Sequence, residues 1–541
     1  MLNRIALLLL LAGAIHAADR KPNVIFLLTD DQGWADAASW GHPYYKTPNL
    51  DRLTREGTRI SQFYVANPVC SPSRTAFMTG QFPARHRVHG HFSDHAQNSA
   101  RKMPDWLDTS APLITRQVKS AGYVTGHFGK WHLGSGEGAP MPDAYAVDES
   151  VTTVSNDTRL RGPREEREPH WMGKSTGIIM DHALKFIQKH KDEPFYCNIW
   201  TLVPHAKLDP TPEQLAVYDE LKPEANHPAF GKYTQEYYRQ ARNLQAQMKV
   251  FAASITDLDT QVGRLLDALK ELGIDDNTLL IYSADNGPED YHIGNASNAG
   301  VGSPGPLRGR KRSIYEGGVR TPMIVRWPGK VKAGVLDETS VIGAVDLMPT
   351  ICKLVGADVP ANMDGEDVSD VFTDGPRPRK KPLFWEWRFS LAQKGLKDFT
   401  PPPLAMRDGP WKLLMTPDAK MVELYNIPED KAEMTNVATD HAEVVSRMTE
   451  ALLSWHKTLP IMEHAWGINP GSGAPKSGKA APTKASDRKA MFLKVDKNHD
   501  GFITRDEHIT HFKGREEEGK KRFDNFDDDH DEKVTLEEFS R

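Results

Sequence analysis

Short apolar runs that each break off into a polar turn recur through the first two-thirds of the chain, with helical patterns between them. Asn23 to Leu28 ends in Thr29-Asp30-Asp31, Phe195 to Val203 ends at Pro204-His205, and Thr278 to Ser283 ends in Ala284-Asp285-Asn286-Gly287. Tyr123 to Phe128 reads as a further strand; Leu113 to Ala121 and the long amphipathic stretch Gln247 to Leu272 read as helices. Strands alternating with helices predict an α/β domain with a large, mostly parallel sheet flanked by helices. Open sheets of this kind bind ligands at the carboxyl ends of their strands, which is where the polar residues collect here.

From about Pro382 the pattern changes to short antiparallel strands, Leu383 to Arg388, Ala405 to Met406, Trp411 to Met415 and Glu423 to Tyr425, followed by a helix over Ala442 to Leu459. The expected organisation is an export signal over 1–18, an α/β domain over 19–380, an antiparallel-sheet α+β subdomain over 381–465, a linker over 466–486 and an all-α paired module over 487–541. At 541 residues and 39% hydrophobic content the chain has ample apolar material for such cores. Arg4, the apolar stretch Ile5 to Ala14 and the small pair Ala17-Ala18 have the layout of a cleaved export signal. The stretch is well short of the roughly 20 apolar residues of a membrane span, and no later segment is long and apolar enough for one. A periplasmic or secreted location is expected. A formal net charge of -5 gives no electrostatic case for nucleic acid. Three cysteines are too few for a disulfide-stapled exported protein. Cys197, in a strand, and Cys352, on a helix, read as buried thiols, with a bond between them left open by sequence alone.

Trp466 to Ser486, rich in Gly, Pro, Ala, Ser and Lys, reads as a flexible tether. After it one pattern occurs twice. Asp496, Asn498, Asp500, Gly501, Thr504 and Glu507 fit the first, third, fifth, sixth, ninth and twelfth positions of an EF-hand loop, with Phe502 at the seventh. Asp527, Asp529, Asp531, Thr535 and Glu538 fit a second loop, with Lys533 at its seventh position. Alternating oxygen side chains plus a bidentate Glu suit Ca²⁺. Ile503 and Val534 fall at the eighth positions, where paired loops make a short β contact. Glu532 stands where a glycine is expected, so its backbone must be strained.

The segment Cys70-Ser71-Pro72-Ser73-Arg74 continues as Thr75-Ala76-Phe77-Met78-Thr79-Gly80. Ser71 and Pro72 read as an N-cap and first helical residue, which sets Cys70 at a helix N-terminus favourable to an anion. An unmodified, low-pKa thiolate is one nucleophile such a position offers. The pairs Asp30-Asp31 and Asp285-Asn286 each follow a strand. Singly they are ordinary turn residues; together they make a hard oxygen set suited to Ca²⁺ or Mg²⁺, whose charge would relieve their mutual repulsion. In Gly129-Lys130-Trp131-His132-Leu133-Gly134 the lysine and histidine alternate at a strand end and can face one side. Lys311 lies in the basic segment Leu307 to Arg312, where Arg310 or Arg312 would serve equally on charge alone.

From about Pro22 to Val437 these segments, with Asp346-Leu347-Met348-Pro349-Thr350 and Glu423-Leu424-Tyr425-Asn426, resemble the type I sulfatases. The resemblance implies an alkaline-phosphatase-like fold and hydrolysis of sulfate esters. It implies oxidation of Cys70 to formylglycine by a formylglycine-generating enzyme, and a divalent cation held by Asp30, Asp31, Asp285, Asn286 and the modified Cys70. It further implies sulfate held by Lys130 and Lys311, Arg74 bonded to the aldehyde hydrate or the carboxylates, His132 at the hydrate and His205 on the leaving-group side. An exported member of this family implies a sulfated carbohydrate as substrate. Trp385, Trp387 and Arg388 either line the pocket mouth, where aromatics stack on sugars and Arg pairs with anions, or pack the small subdomain. One rival is a phosphate or phosphonate monoester hydrolase, which shares the carboxylates. Another is a calcium-dependent glycan-binding protein with a dead enzyme domain, against which the intact nucleophile and metal set argue.

Overall fold

The computed structural model describes residues 20–136, 138–155, 170–290, 296–389 and 400–460, with shorter stretches between 492 and 535. The expected export signal and linker lie outside the described residues. The chain divides into two compact units, Met1–Gly471 and Ser472–Arg541; the α/β and antiparallel-sheet regions share the first.

Eight strands form the large sheet: β1 (Asn23–Thr29), β2 (Thr58–Tyr64), β3 (Val124–Lys130), β4 (Glu149–Thr153), β5 (Phe195–Trp200), β6 (Thr278–Ala284), β7 (Arg320–Arg326) and β8 (Val335–Gly343). Their order is β4-β3-β5-β1-β6-β7-β2-β8. All neighbours are parallel except at β7, which runs antiparallel to both β6 and β2. β1 is central and wholly buried. Val24, Phe26 and Leu28 enter one core while Ile25 and Leu27 enter the other. Both faces of β1 must therefore be apolar, hence its unbroken hydrophobic run. Helices Trp171–Lys189 and Leu244–Glu271 contribute Ile179, Phe186, Leu265 and Leu266 to the Ile25 side. The helix Cys70–Thr79 contributes Ala76, Phe77 and Met78 to the other, with the Phe77 ring edge-on to Phe26 at 5.0 Å. The register pairs Thr29 with Ala284, so Asp30 and Asp285 emerge side by side at the carboxyl edge.

A second sheet, order β12-β11-β10-β9, is antiparallel throughout: β9 (Leu383–Glu386), β10 (Leu404–Asp408), β11 (Trp411–Met415) and β12 (Val422–Asn426). Met448, Leu452 and Trp455 of the helix Ala442–Lys457 are buried, and Trp455 stacks on Phe384 at 4.8 Å. This sheet joins the same apolar core as β2. A buried charge network also crosses the junction. Lys412 Nζ lies 2.9 Å from Glu316 Oε1 and 3.0 Å from Glu433 Oε1; the Tyr64 hydroxyl donates to Glu316 at 2.8 Å, and the Glu316 N–H donates to Glu433 at 2.7 Å. Burial, with Glu316 alongside, pushes the Glu433 carboxyl up to about 7 despite Lys412.

In the second unit β13 (Phe502–Thr504) pairs antiparallel with β14 (Lys533–Thr535), Ile503 opposite Val534. Phe492, Val495, Ile503, Phe523 and Val534 form a small core. Glu507 accepts from the Thr504 N–H and hydroxyl at 3.0 and 2.8 Å. Glu532 has φ 65°, the left-handed backbone its position demands, and pairs with Arg505 at 2.6 Å. Asp527, Asp529, Asp531 and Glu538 lie outside the described residues.

Removing one partner from a buried ion network leaves the others uncompensated. Lys412→Met is expected to destabilise the first unit by about 3–5 kcal/mol. A thermal unfolding midpoint unchanged from wild type would show that the network does not hold the small sheet in place.

Candidate active site

The site is built where β1, β3 and β6 end and the helix Cys70–Thr79 begins. Cys70 is itself the first helical residue, and the cap position is Val69, which makes no side-chain bond to the helix. The expected Ser71 cap is corrected: the Ser71 hydroxyl accepts the Phe92 N–H at 3.0 Å and holds a neighbouring loop instead. Every residue of the helix is buried.

Arg74, one turn in and fully buried, organises the carboxylates. Its Nε and Nη2 donate to Asp285 Oδ2 at 3.0 and 2.7 Å, its Nη1 donates to the Lys130 carbonyl at 2.9 Å, and its Nη2 lies 3.4 Å from Asp30. Lys130 Nζ pairs with Asp30, Lys311 Nζ lies 2.7 Å from the Asp31 carboxylate, and His205 Nε2 is 3.5 Å from Asp31 Oδ2. Asn286 Nδ2 donates to Asp31 Oδ1 at 2.7 Å. The left-handed backbone of Asp31 (φ 66°) and His132 (φ 53°) is the kind of strain that clusters at functional sites.

These residues fit a divalent cation. Asp30, Asp31, Cys70 and His205 each bring a ligand atom within 4.8 Å of one another. Asp30 Oδ1 and Asn286 Oδ1 are buried without a hydrogen-bond partner among the described residues, a state that a cation resolves. His205, expected only on the leaving-group side, therefore also belongs among the candidate ligands.

Charge in the cluster is uneven. Burial raises the Asp30 carboxyl, but Lys130, His205, Arg74 and Lys311 together hold it well below the usual carboxylate range. Burial carries Asp31 up to about 6 against the pull of Lys311, and carries Asp285 up to about 6 with help from Asp30. Burial lowers the Lys311 amine, yet Asp31, Cys70 and Glu289 outweigh it and hold the proton firmly. Burial, then Lys311, brings His205 down to about 3; its Nδ1 sits 2.7 Å from the Ala206 carbonyl, which places the proton of the neutral ring there. His132 is likewise held neutral by burial and by Lys130. Its Nε2 lies 3.2 Å from the Phe92 carbonyl and its Nδ1 is buried without a partner among the described residues. Burial pushes the Cys70 thiol up to about 12, although Lys130 and Lys311 pull against it. For the bare cysteine the desolvation of this site thus works against the low-pKa thiolate that a helix N-terminus favours.

The sulfatase family model matches residues 22–357, and the model of the N-sulphoglucosamine sulphohydrolase C-terminal region matches residues 309–458. The chain belongs to the sulfatase family. It is a sulfuric ester hydrolase, and its relatives include arylsulfatases and N-acetylgalactosamine-6-sulfatases. Human arylsulfatase A is 30% identical over 413 residues, covering 70% of this chain and 73% of that protein. The N-acetylgalactosamine-6-sulfatase of Canis lupus familiaris is 28% identical over 505 residues, covering 84% and 90%. The crystal structure of Ps i-CgsB in complex with k-i-k-neocarrahexaose superimposes with a TM-score of 0.66 at 26% identity, covering 83% of this sulfatase and 95% of that chain.

The three residues proposed for the pocket mouth separate. Trp385 is 1% exposed, donates its indole N–H to the Val65 carbonyl at 2.8 Å and meets Tyr64 edge-on, so it is a core residue of this sulfatase. Trp387 and Arg388 line a cavity of about 460 Å³ with Pro401, Pro402, Pro403 and Met421. Cys197 and Cys352 are both free thiols. Glu289 was missed at the sequence level: it pairs with Arg312 and lies 3.4 Å from Lys311. Only its place four residues after Asp285 hinted at it.

Stripping divalent cations from the full-length protein is expected to lower the unfolding midpoint of the first unit, and Ca²⁺ or Mg²⁺ to restore it, since ligands of the native state stabilise it. Asp30→Asn is expected to lose most of that restoration. An equal response in wild type and variant would remove Asp30 from the ligand set.

Proposed function

We propose that this sulfatase is exported, that a formylglycine-generating enzyme converts Cys70 to formylglycine, and that its substrates are sulfated carbohydrates. The observation that carries the reading is Cys70 at a buried helix N-terminus, grouped with Asp30, Asp31 and His205 and flanked by the Lys130–Asp30 and Lys311–Asp31 pairs, with burial making its bare thiol harder to ionise. Formylglycine would supply a hydrated aldehyde as nucleophile, and a Ca²⁺ or Mg²⁺ held by Asp30, Asp31, Asp285, Asn286 and the modified side chain would supply positive charge to it and to the sulfate oxygens.

The chain's own residues do the rest. Lys130 and Lys311 bind the sulfate oxygens as fixed cations in a site with little water, where preorganised charge is most effective. Arg74 keeps Asp285 and Asp30 in register. His132, with its Nε2–H directed to the Phe92 carbonyl, presents Nδ1 as a proton acceptor. His205 and Lys311 face the leaving oxygen; Lys311 carries the proton, because His205 is neutral and holds its own hydrogen on the Ala206 side.

Sulfated sugar as substrate draws support from the names of the relatives, which include an N-acetylgalactosamine-6-sulfatase. The C-terminal unit we read as an EF-hand pair binding Ca²⁺. The Ile503–Val534 pairing and the orientation of Glu507 by Thr504 support that reading.

Mass analysis of the tryptic peptide Ile60–Arg74, from a host that matures a control sulfatase, is expected to show an aldehyde in place of the Cys70 thiol. An intact thiol would end the formylglycine proposal. The same preparation is expected to release sulfate faster than phosphate from paired esters of one alcohol; the reverse order would favour the phosphohydrolase reading. Calcium titration of the full chain is expected to lose one binding event in Glu507→Gln, and an identical isotherm would refute the first EF-hand.

A further inference from the structure

Beside the sulfate clamp lies a cation that the reaction described above does not use. Arg101, at the end of the short helix His95–Ala100, is 4% exposed. Its Nη1 donates to the His91 carbonyl at 3.0 Å, its Nε is buried without a hydrogen-bond partner among the described residues, and its guanidinium lies 5.7 Å from the centre of the Phe389 ring. Among the described residues no carboxylate stands within ion-pair distance of it. Asp94, an acidic side chain near enough to influence it, is engaged as a helix cap, accepting the Gln97 N–H at 2.8 Å. A guanidinium almost wholly buried, with one backbone acceptor and an unpartnered Nε, is under-satisfied, and native structures retain few such groups without a use.

Its surroundings point to that use. The His91-Phe92 segment that Arg101 holds is fastened to the catalytic centre: the Phe92 N–H donates to the Ser71 hydroxyl at 3.0 Å, the Phe92 carbonyl lies 3.2 Å from His132 Nε2, and the His91 and His132 rings are 6.4 Å apart. Arg101, Arg312, Lys311 and Lys130 all act on the His91 ring, which burial and their combined charge keep neutral. Arg312 donates its backbone N–H to the Pro68 carbonyl at 2.9 Å, two residues before Cys70, and keeps 19% of its side chain exposed while paired with Glu289. Arg101 and Arg312 also act on each other as like charges. Arg101 thus holds the segment that abuts His132 and Ser71, and among the described residues no carboxylate forms an ion pair with it.

We propose that Arg101 forms an anion subsite next to the sulfate clamp, which takes a second negatively charged group of the substrate, a carboxylate or a further sulfate ester. The proposal rests on the sulfatase reading and narrows its substrate class to sugars that carry at least two anionic groups close together. The planar fork of a guanidinium suits the paired oxygens of either group, and the Phe389 ring beneath it holds the fork in place. Arg101 is a specificity residue in this account; it touches the second anion and not the ester being cleaved.

The test compares three substrates on matured full-length enzyme: a sugar with one sulfate ester, one with two, and one with a sulfate and a carboxylate. Sulfate release gives kcat/KM for each. Wild type is expected to prefer one of the two doubly charged sugars over the singly charged one. In Arg101→Gln that preference ratio is expected to fall about 10- to 100-fold, the range for losing a charge-assisted hydrogen bond, mainly through KM. Arg101→Lys, which retains the charge without the fork, is expected to fall in between. The sugar whose advantage disappears identifies the second group. Should Arg101→Gln unfold, the Arg101→Lys ratio decides alone, with a ratio equal to wild type counting against the subsite. A ratio unchanged in both variants, or equal losses on all three sugars, overturns the subsite while leaving the sulfatase reading intact. A wild type that releases no sulfate from any of them overturns both.

Discussion

Three buried carboxylates crowded at the edge of one sheet are the constraint on which this structure depends. Asp30, Asp31 and Asp285 are pressed together by the pairing of β1 with β6. In a low-dielectric interior they cannot all be charged without cations. Arg74 comes from the helix after β2, Lys130 from the end of β3 and Lys311 from the loop before β7, so neutralising the cluster draws in three separate segments. The same interlock that makes the fold tolerable makes the site. Its charges are fixed before any substrate arrives, which is the arrangement that favours a transition state rich in negative charge.

The remaining imbalance in the cluster is informative. Among the described residues Asp30 Oδ1 and Asn286 Oδ1 are left without hydrogen-bond partners, although Asp30 Oδ2 pairs with Lys130 and Asn286 Nδ2 donates to Asp31. Lys311 stays cationic and His205 stays neutral within one small volume, because Lys311 faces two acids while His205 feels the lysine. Two groups of similar reach are thus pushed to opposite protonation states, which assigns them different tasks.

Away from the site, the small sheet is held by apolar packing and by Lys412 between Glu316 and Glu433. Trp385 explains why aromatic residues there were misleading. A tryptophan on a short strand looks equally suited to stacking on a sugar and to filling a junction between sheets. The choice depends on whether the strand's neighbour is solvent or Val65, and no local pattern encodes that.

Much of the centre of the fold was legible because β1, β5 and β6 are buried on both faces and so must be continuous apolar runs. β2, with Arg59, Ser61 and Gln62, and β8, with Asp337 to Ser340, have no such run: their polar side chains find partners or reach solvent at the far edge of the sheet. Asp30, Asp31, Cys70, Arg74, Lys130 and Asp285 were likewise marked in the sequence, since each sits in a short motif whose chemistry depends on residue type; Lys311 was set apart from Arg310 and Arg312 only by resemblance to the family. What only the tertiary structure decided were the relations among segments far apart in sequence. It turned Ser71 from a cap into an anchor for Phe92, buried the Cys70 thiol so that ionising it is harder, brought Glu289 against Lys311, and set Arg101 on the His91 carbonyl without an ion-pair partner among the described residues. The physical reason is common to all four. Burial and charge proximity are properties of the packed whole, and the sequence specifies them only through the fold.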